Sequence, residues 1–525
     1  YCNYWIQVGS GDGFTSHLHL SGSAKRMADA RMRGMKLVVV EPRVSPAASK
    51  ANEWVPIIPG TDRAFVLGMM HVLVHELNKY DVEFLKIQTN APYLIDADEK
   101  YVRDINTGKA MIWDLKDGCS KPYNDPSIKD YALEGEYTVN GKKCRPSFQI
   151  FKNIIKEYTP EKISRITDVP AETIRRISRE YVEAARIGSE IVIEDKKYPY
   201  RPAAVNYYRG SQHVDGWLDN FTYVLINMLV GNYDVPGGRL GIPLGANWLT
   251  KNAIIKEGED GMLNPVPHVL GPPLPFKNPP DTVHLVEFFP IGFEPGHLAA
   301  DVILNPEKFG LNYKPEALML YHANPLWHMP ETDKFIEVFK KFDFIFAIDI
   351  VINESVEWAD IVLPDHTYLE SYNLNCLEAP VVTGHCIRQP IVNPIYNTKD
   401  SVDIITELSY RLGFLDKWNE YLNFVLGMIN KPEYMLEQNK KHSSDEIIDR
   451  WAKSEYGDDC GIEWFKENGH KVRRRTKEET YQAYGNLRIP FCMEFVKRTG
   501  EDLKKKMVFI SIRDKRETIV LWWGI

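Results

Sequence analysis

Tyr4-Trp5-Ile6-Gln7-Val8-Gly9-Ser10-Gly11-Asp12-Gly13 and, one helix later, Lys36-Leu37-Val38-Val39-Val40-Glu41-Pro42 are the stretches that decide the fold. Both apolar runs read as buried strands, and the glycines between them read as a tight loop. Ser21 to Arg33 reads as a helix closed by Gly34, a residue that accepts the left-handed conformation such an end requires. Strand, loop, helix and strand form a β-loop-α-β unit, so the two strands are expected to be parallel, with the loop open at their C-terminal edge.

The same rhythm continues outward. A helix is expected from Asp62, where Phe65, Val66, Met69, Met70, Leu73 and Val74 share one face. Residues 90 to 150 are rich in turn formers and read as an irregular insertion. Pro170-Ala171-Glu172 opens a helix through Arg186, Ala203 to Tyr208 is a strand, and Trp217 to Val230 is a helix stopped by Gly231. After a proline-rich boundary at 265–280 come strand Ala317 to Tyr321, helix Thr332 to Lys341, strand Phe344 to Asp349 and strand Asp360 to Pro364. Ser401 to Glu467 reads as mainly helical. The expected class is α/β: two Rossmann-like lobes with mostly parallel sheets flanked by helices, plus a helical return segment. The expected divisions are 1–245, 246–400, 401–480 and a stub over 481–525.

Composition narrows the chemistry. The chain has 525 residues, 44% of them hydrophobic and 26% charged, which suits several buried cores and excludes disorder. A net charge of −8 argues against nucleic acid as a partner, and Lys471-Val472-Arg473-Arg474-Arg475 reads as a solvated basic face. Seven dispersed cysteines contain no C-x-x-C pair, so a compact cysteine-held zinc or iron–sulfur site is not encoded here. No apolar stretch is long enough to span a bilayer.

The glycine loop bears on function because glycines let a backbone approach a pyrophosphate near a helix N-terminus. Its pattern is G-x-G-x-G rather than G-x-G-x-x-G, and Glu41 lies 28 residues beyond Gly13, so alone it is read equally as a nucleotide loop or a structural turn. Glu41-Pro42-Arg43-Val44-Ser45 and Pro59-Gly60-Thr61-Asp62 fall at the same expected sheet edge. They offer an acceptor, a guanidinium, a hydroxyl and a carboxylate. His71 and His75 have i, i+4 spacing without the glutamate of H-E-x-x-H and read as core or interface histidines.

The segment Gly34 to Asp62, GMKLVVVEPRVSPAASKANEWVPIIPGTD, resembles the signature of the molybdopterin oxidoreductases of the dimethyl sulfoxide reductase family. Further ordered matches are Arg209-Gly210-Ser211-Gln212-His213, Leu229-Val230-Gly231-Asn232 with Pro236-Gly237-Gly238, Ala323-Asn324-Pro325, and Asn353-Glu354-Ser355 leading to Ala359 to Pro364. Gln88 to Ile95 is similar to a branch that includes phenylacetyl-CoA:acceptor oxidoreductases and thiosulfate reductase-like enzymes.

That resemblance implies a two-electron oxidoreductase acting on a small-molecule substrate at a bis-molybdopterin guanine dinucleotide centre carrying Mo or W. Gly9, Ser10 and Gly11 would line a dinucleotide. Glu41, Pro42 and Arg43 with Gly60, Thr61 and Asp62 would hold its guanosine and phosphate end. Gly210, Gln212 and His213 would approach the pterin, with His213 as a proton-transfer candidate, and Asn324 would face the second pterin. Glu41 replaces the commoner aspartate and Gly11-Asp12 the usual Asn-Pro. Asp12 beside a pyrophosphate would repel it unless turned away or bound to a cation.

The resemblance further implies that a [4Fe-4S] domain and the metal-ligating residue lie upstream of Tyr1, with Cys2 read as a packed or terminal cysteine. It implies a closing domain after Asn486 to Pro490, together with two partners: an iron–sulfur electron-transfer subunit, and one that serves as membrane anchor. It does not choose between cytoplasm and periplasm. Two other readings stand beside it: an NAD-dependent Rossmann dehydrogenase, and a non-catalytic structural subunit that keeps this fold.

Overall fold

A computed structural model of the chain describes residues 1–14, 20–208, 210, 216–240, 254–266, 299–309, 311, 314–376, 381–481, 485–494, 496–498 and 501. Strand β1 (Tyr4–Val8) is followed by α1 (Leu20–Met32), β2 (Lys36–Val40), β3 (Glu53–Val55) and α2 (Asp62–His71). After the insertion come α3 (Ala171–Ala184), β4 (Ala203–Tyr207) and α4 (Gly216–Leu229). The sheet order is β4-β1-β2-β3 and every pairing in it is parallel.

Ile6, Val8, Val38 and Val40 have no exposed surface, because helices cover this sheet and both faces of its central strands are buried. Burying each such side chain contributes about 1.5–3 kcal/mol. The helix from Asp62 continues through a π turn at Val72–Glu76. Here His71 Nδ1 meets the Ile155 carbonyl at 3.1 Å and His75 Nε2 the Lys152 carbonyl at 2.8 Å. Both are interface histidines, as expected.

The insertion is more regular than its composition suggests. Leu94–Asp96, Lys142–Pro146 and Tyr137–Val139 form one antiparallel sheet, Met111–Asp114 pairs with Cys119–Pro122, and Ser147–Ile155 is helical. The turn formers connect very short hairpins whose strands are too brief to show an alternating pattern.

Asn227 and Asn232 finish the outer edge of β4. Asn227 accepts from the Val205 amide at 3.0 Å and donates to the Val205 carbonyl at 2.9 Å, and Asn232 donates to the Ala203 carbonyl at 2.6 Å. An edge strand buried without such partners would leave costly unpaired backbone groups. The Gly231-Asn232 and Gly237-Gly238 motifs therefore have a structural role, since a Cβ on Gly238 would stand 2.0 Å from the Asn232 carbonyl oxygen.

A second parallel sheet runs β5 (Ala317–Tyr321), β6 (Phe344–Asp349) and β7 (Ile361–Pro364), with α5 (Thr332–Phe339) between the first two. Next follow β8 (Asn373–Cys376) and β9 (Val382–Arg388), then α6 (Ser401–Leu412), α7 (Leu415–Val425), α8 (Ser444–Tyr456) and α9 (Ile462–Asn468). The chain returns as β10 (His470–Arg474), which pairs antiparallel with β9. The basic run is thus an edge strand with Arg474 exposed and Arg473 paired to Glu479 at 2.7 Å.

Residues 485–494 reach back to the first lobe, where Phe491, Cys492, Met493 and Val496 join its core. Asn90 Oδ1 accepts from the Phe491 and Cys492 amides at 2.6 and 3.0 Å. Among the described residues no helix is long and apolar enough to cross a membrane.

Candidate functional site

The glycine loop leaves β1 at the C-terminal edge of the first sheet. Gly9 (φ +55°) and Gly13 (φ +79°) occupy the left-handed region, which explains glycine at both positions. The Gly9 amide donates to the Val40 carbonyl at 3.1 Å, so the loop is joined to the end of β2 just before Glu41. Gln7, with no exposed surface, donates from Nε2 to the Asp12 carbonyl at 2.6 Å and leaves its buried Oε1 without a partner.

Asp12 is held by a residue of the sheet. Its Oδ2 and the Ser10 hydroxyl each lie 3.4 Å from Asn206 Nδ2 on β4, which engages the carboxylate from the sheet side. Gly210 follows β4 and presses on the loop: a Cβ there would stand 2.3 Å from the Gly9 carbonyl oxygen. The loops after β1 and β4 thus touch backbone to backbone, and only glycine permits that approach. Gln212 and His213 lie outside the described residues.

Glu41 is buried, with the Ser45 amide 3.3 Å from its Oε1 and the Trp54 indole donating to its carbonyl at 3.0 Å. Pro42 and Arg43 are exposed beside it. The Ser45 hydroxyl accepts from the Ala47 and Ala48 amides at 3.1 and 3.2 Å and fixes the turn. Beyond β3, Gly60 has φ +78° and Thr61 donates to the Ile58 carbonyl at 2.7 Å rather than capping α2 with its side chain. Asp62 is buried in the first turn of α2. Gly9, Ser10, Gly11, Glu41, Pro42, Arg43, Gly60, Thr61 and Gly210 therefore lie in loops leaving one edge of one sheet, and Asp62 opens the helix that follows one of them.

Asn324 stands elsewhere, after β5 of the second sheet. Its Nδ2 donates to Glu354 at 2.7 Å, and the Ser355 hydroxyl donates to its Oδ1 at 2.7 Å. The first of these bonds holds the Glu354 carboxyl below the usual carboxylate range. The Leu326 amide donates to Ser355 Oγ at 3.0 Å, so Asn324 ties the loop after β5 to the loop after β6.

Around these loops is a cavity of about 800 Å³ at the C-terminal edge of the second sheet, closed on the other side by α6, α7 and α8. Its walls include Asp349, Asp365, His366, His385, Arg388 and Trp451. Buried His366 Nδ1 and Arg388 Nε have no protein partner. The sequence motifs reached Ala323, Asn324 and Asn353 of this cavity but not its far wall, which comes from helices some 50 to 130 residues downstream. The signal that could have found it is the rule used for Glu41: polar residues just past the ends of parallel strands.

Two parallel sheets with polar loops at their C-terminal edges suit nucleotide-bearing ligands in general. The family of molybdopterin oxidoreductases matches residues 19–411, three quarters of the chain. The chain belongs to the molybdopterin oxidoreductase family. It is 27% identical to a selenate reductase subunit from Mesobacillus selenatarsenatis over 69% of this chain and 36% of that protein. It is 27% identical to a sulfite dehydrogenase subunit from Allochromatium vinosum over 80% of this chain and 49% of that protein. The chain thus spans from about a third to half of the length of these relatives.

Acetylene hydratase from Pelobacter acetylenicus shares the fold, with a TM-score of 0.58 at 18% identity over 95% of this chain and 57% of that one. Family membership disfavours the nicotinamide dehydrogenase reading. A molybdenum- or tungsten-pterin cofactor follows from the family, and the glycine loop after β1, with Gly9 and Gly13 in the left-handed region and Gly210 packed on Gly9, is the kind of backbone turn that presents amides to a phosphate-bearing group. Among the described residues no group of three or more His, Cys, Asp or Glu could hold a metal ion.

Proposed function

We propose that the chain is part of the catalytic subunit of a two-electron oxidoreductase whose pterin cofactor is the guanine dinucleotide form, one copy on each lobe. The observation that carries this reading is the contact of Gly210 with Gly9. It brings the loops after β1 and β4 together backbone to backbone at the C-terminal edge of the first sheet, where the loop carrying Glu41 and Arg43 also leaves the sheet. The cofactor, when bound, supplies transfer of an oxygen atom or hydride equivalent at Mo or W.

The chain's own residues bind and orient it. Backbone amides of the glycine loop donate to phosphate oxygens. Arg43 adds a positive charge, Glu41 accepts from guanosine, and Gly60, Thr61 and Asp62 close the same end. Asn324 would brace the loop facing the second copy, Gly210 and Gln212 would help to hold the pterin, and His213 would serve in proton transfer. Substrate is a small molecule, electrons leave through an iron–sulfur partner subunit, and a membrane anchor protein completes the assembly. The relatives from Mesobacillus selenatarsenatis and Allochromatium vinosum are each named as one subunit of a larger enzyme, which supports the expectation of partners.

Nucleotide released by acid from the purified holoprotein tests the reading. Guanine nucleotide is expected, and Glu41→Ala combined with Arg43→Ala is expected to reduce it. A cofactor that releases no guanine nucleotide would contradict the proposal.

A further inference from the structure

Lys471, the first residue of the basic run, turns inward while Val472, Arg473 and Arg474 stay exposed. Its Nζ lies 2.8 Å from Sγ of Cys460, a free thiol on a residue only 6% exposed. The same nitrogen stands over two rings, 5.3 Å from the centre of Tyr456 and 5.1 Å from that of Trp464, faces that attract a cation. Among the described residues no carboxylate forms an ion pair with Lys471, so the sulfur is the polar atom that closes this cage.

The two side chains are brought together by backbones fixed independently. Gly457, at φ +93°, ends α8 and donates to the Lys453 carbonyl at 2.8 Å, and the Cys460 amide donates to the Gly457 carbonyl at 2.9 Å. The Ile462 amide then donates to Asp449 Oδ1 at 2.9 Å, which ties the turn before α9 back to α8. On the other side Lys471 pairs with His385 across β10 and β9, and a Cβ on Gly384 would collide with the Lys471 carbonyl oxygen, so the strands approach closely at this point.

Peroxide oxidises a thiol to a sulfenic acid, whose further course depends on what stands beside the sulfur. Beside Cys460 stands a primary amine. The separation of 2.8 Å is too long for a direct sulfur–nitrogen bond and suits two single bonds through one intervening oxygen.

We propose that Cys460 and Lys471 form a modification site, where hydrogen peroxide joins them through a single oxygen as Sγ–O–Nζ. A first peroxide converts the Cys460 thiol to sulfenic acid and leaves one water. The sulfenic acid, the Lys471 amine and a second peroxide then give the link and two waters: the sulfenic O–H and one N–H break, the O–N bond forms, and the proton of the former ammonium goes to solvent. Sulfur and nitrogen each lose two electrons, and each peroxide takes up two as its O–O bond breaks. The link fastens β10 to the turn before α9. Tyr456, whose ring lies under the Lys471 nitrogen, meets His385 Nδ1 at 2.5 Å, and His385 lines the second-lobe cavity, so oxidation stiffens the far wall of that cavity from behind.

The test treats the full chain with hydrogen peroxide, digests it with trypsin and maps the peptides by mass, with and without prior dithiothreitol. Trypsin cuts after Lys466, between the two residues, so the link is expected as two joined peptides that have gained one oxygen and lost two hydrogens. Dithiothreitol is expected to release both unmodified. Peptides joined without the added oxygen would mean a direct sulfur–nitrogen bond and would overturn the oxygen bridge. So would Cys460 carried to sulfinic acid, or left as thiol in a sample whose exposed Cys119 is oxidised. Lys471→Arg keeps a cation over the rings and is expected to give no joined peptides; joined peptides in that variant would contradict the assignment to Nζ. Hydrogen exchange over 456–461 and 470–474 is expected to slow after peroxide in wild type and to stay unchanged in Lys471→Arg. Unchanged exchange in a bridged wild-type sample would overturn the stiffening of the wall.

Discussion

A Cβ placed on Gly210 would stand 2.3 Å from the carbonyl oxygen of Gly9, although 201 residues separate the two in sequence. The contact joins the loops after β1 and β4 at the sheet edge. Gly210→Ala must push them apart, and overpacking of this kind costs about 1–3 kcal/mol. The expected outcome is a holoprotein that still folds, with a modestly lower thermal midpoint and about tenfold less retained cofactor, measured as metal per chain. A Gly210→Ala protein with full metal content would show that the close approach does not serve binding.

Asp81 and Arg201 form a buried ion pair, at 2.9 Å to Nε and 2.7 Å to Nη2, with side chains 6% and 8% exposed. Asp81 also caps the helix Val82–Gln88 through the Phe84 amide at 3.0 Å. Asp81→Ala strands a buried guanidinium and is expected to cost about 3–5 kcal/mol in urea unfolding. Replacing both partners, Asp81→Leu with Arg201→Met, should recover much of that loss. A double variant no better than the single would contradict a stranded charge as the cause.

Ser355 donates to Asn324 and accepts from the Leu326 amide, so it ties two loops of the second lobe. Ser355→Ala leaves a buried amide unpaired, at a cost of about 1–3 kcal/mol. Faster hydrogen exchange is expected in 322–328 and 353–358, with the first lobe unchanged.

How much of this was legible in the sequence follows from which residues carry local patterns. Val38, Val39 and Val40 announce a buried strand by themselves, and Gly9 and Gly34 mark turns that need left-handed backbone, so the parallel lobes could be read directly. Arg43 and Glu41 were found because they lie just past a strand end, and Asn324 because it belongs to a family motif. The small hairpins of the insertion were not readable, since Tyr137–Val139 is too short for an alternating pattern. The pair of Cys460 and Lys471 escaped notice for another reason: its meaning arises only when the fold brings the turn before α9 beside β10, with the two side chains 2.8 Å apart. Asn232, read as part of a family motif, turned out to satisfy the backbone of β4.

Stability should fall on the alkaline side. Burial pushes the Cys2 thiol up to about 11 and the Tyr456 and Tyr481 hydroxyls up to about 12. In the unfolded chain these groups ionise near 9.0 and 10.0, so unfolding releases protons and becomes easier as pH rises past those values. The loss continues until the folded groups ionise. Cys2→Ser and Tyr481→Phe should each flatten the decline in thermal midpoint above pH of about 9. An unchanged alkaline slope in both would contradict it.

If each lobe holds one guanine dinucleotide of a metal-pterin cofactor, the purified holoprotein carries a fixed ratio of acid-released guanine nucleotide to Mo plus W. Two nucleotides for each metal atom are expected; bound nicotinamide nucleotide with neither Mo nor W would contradict the assignment.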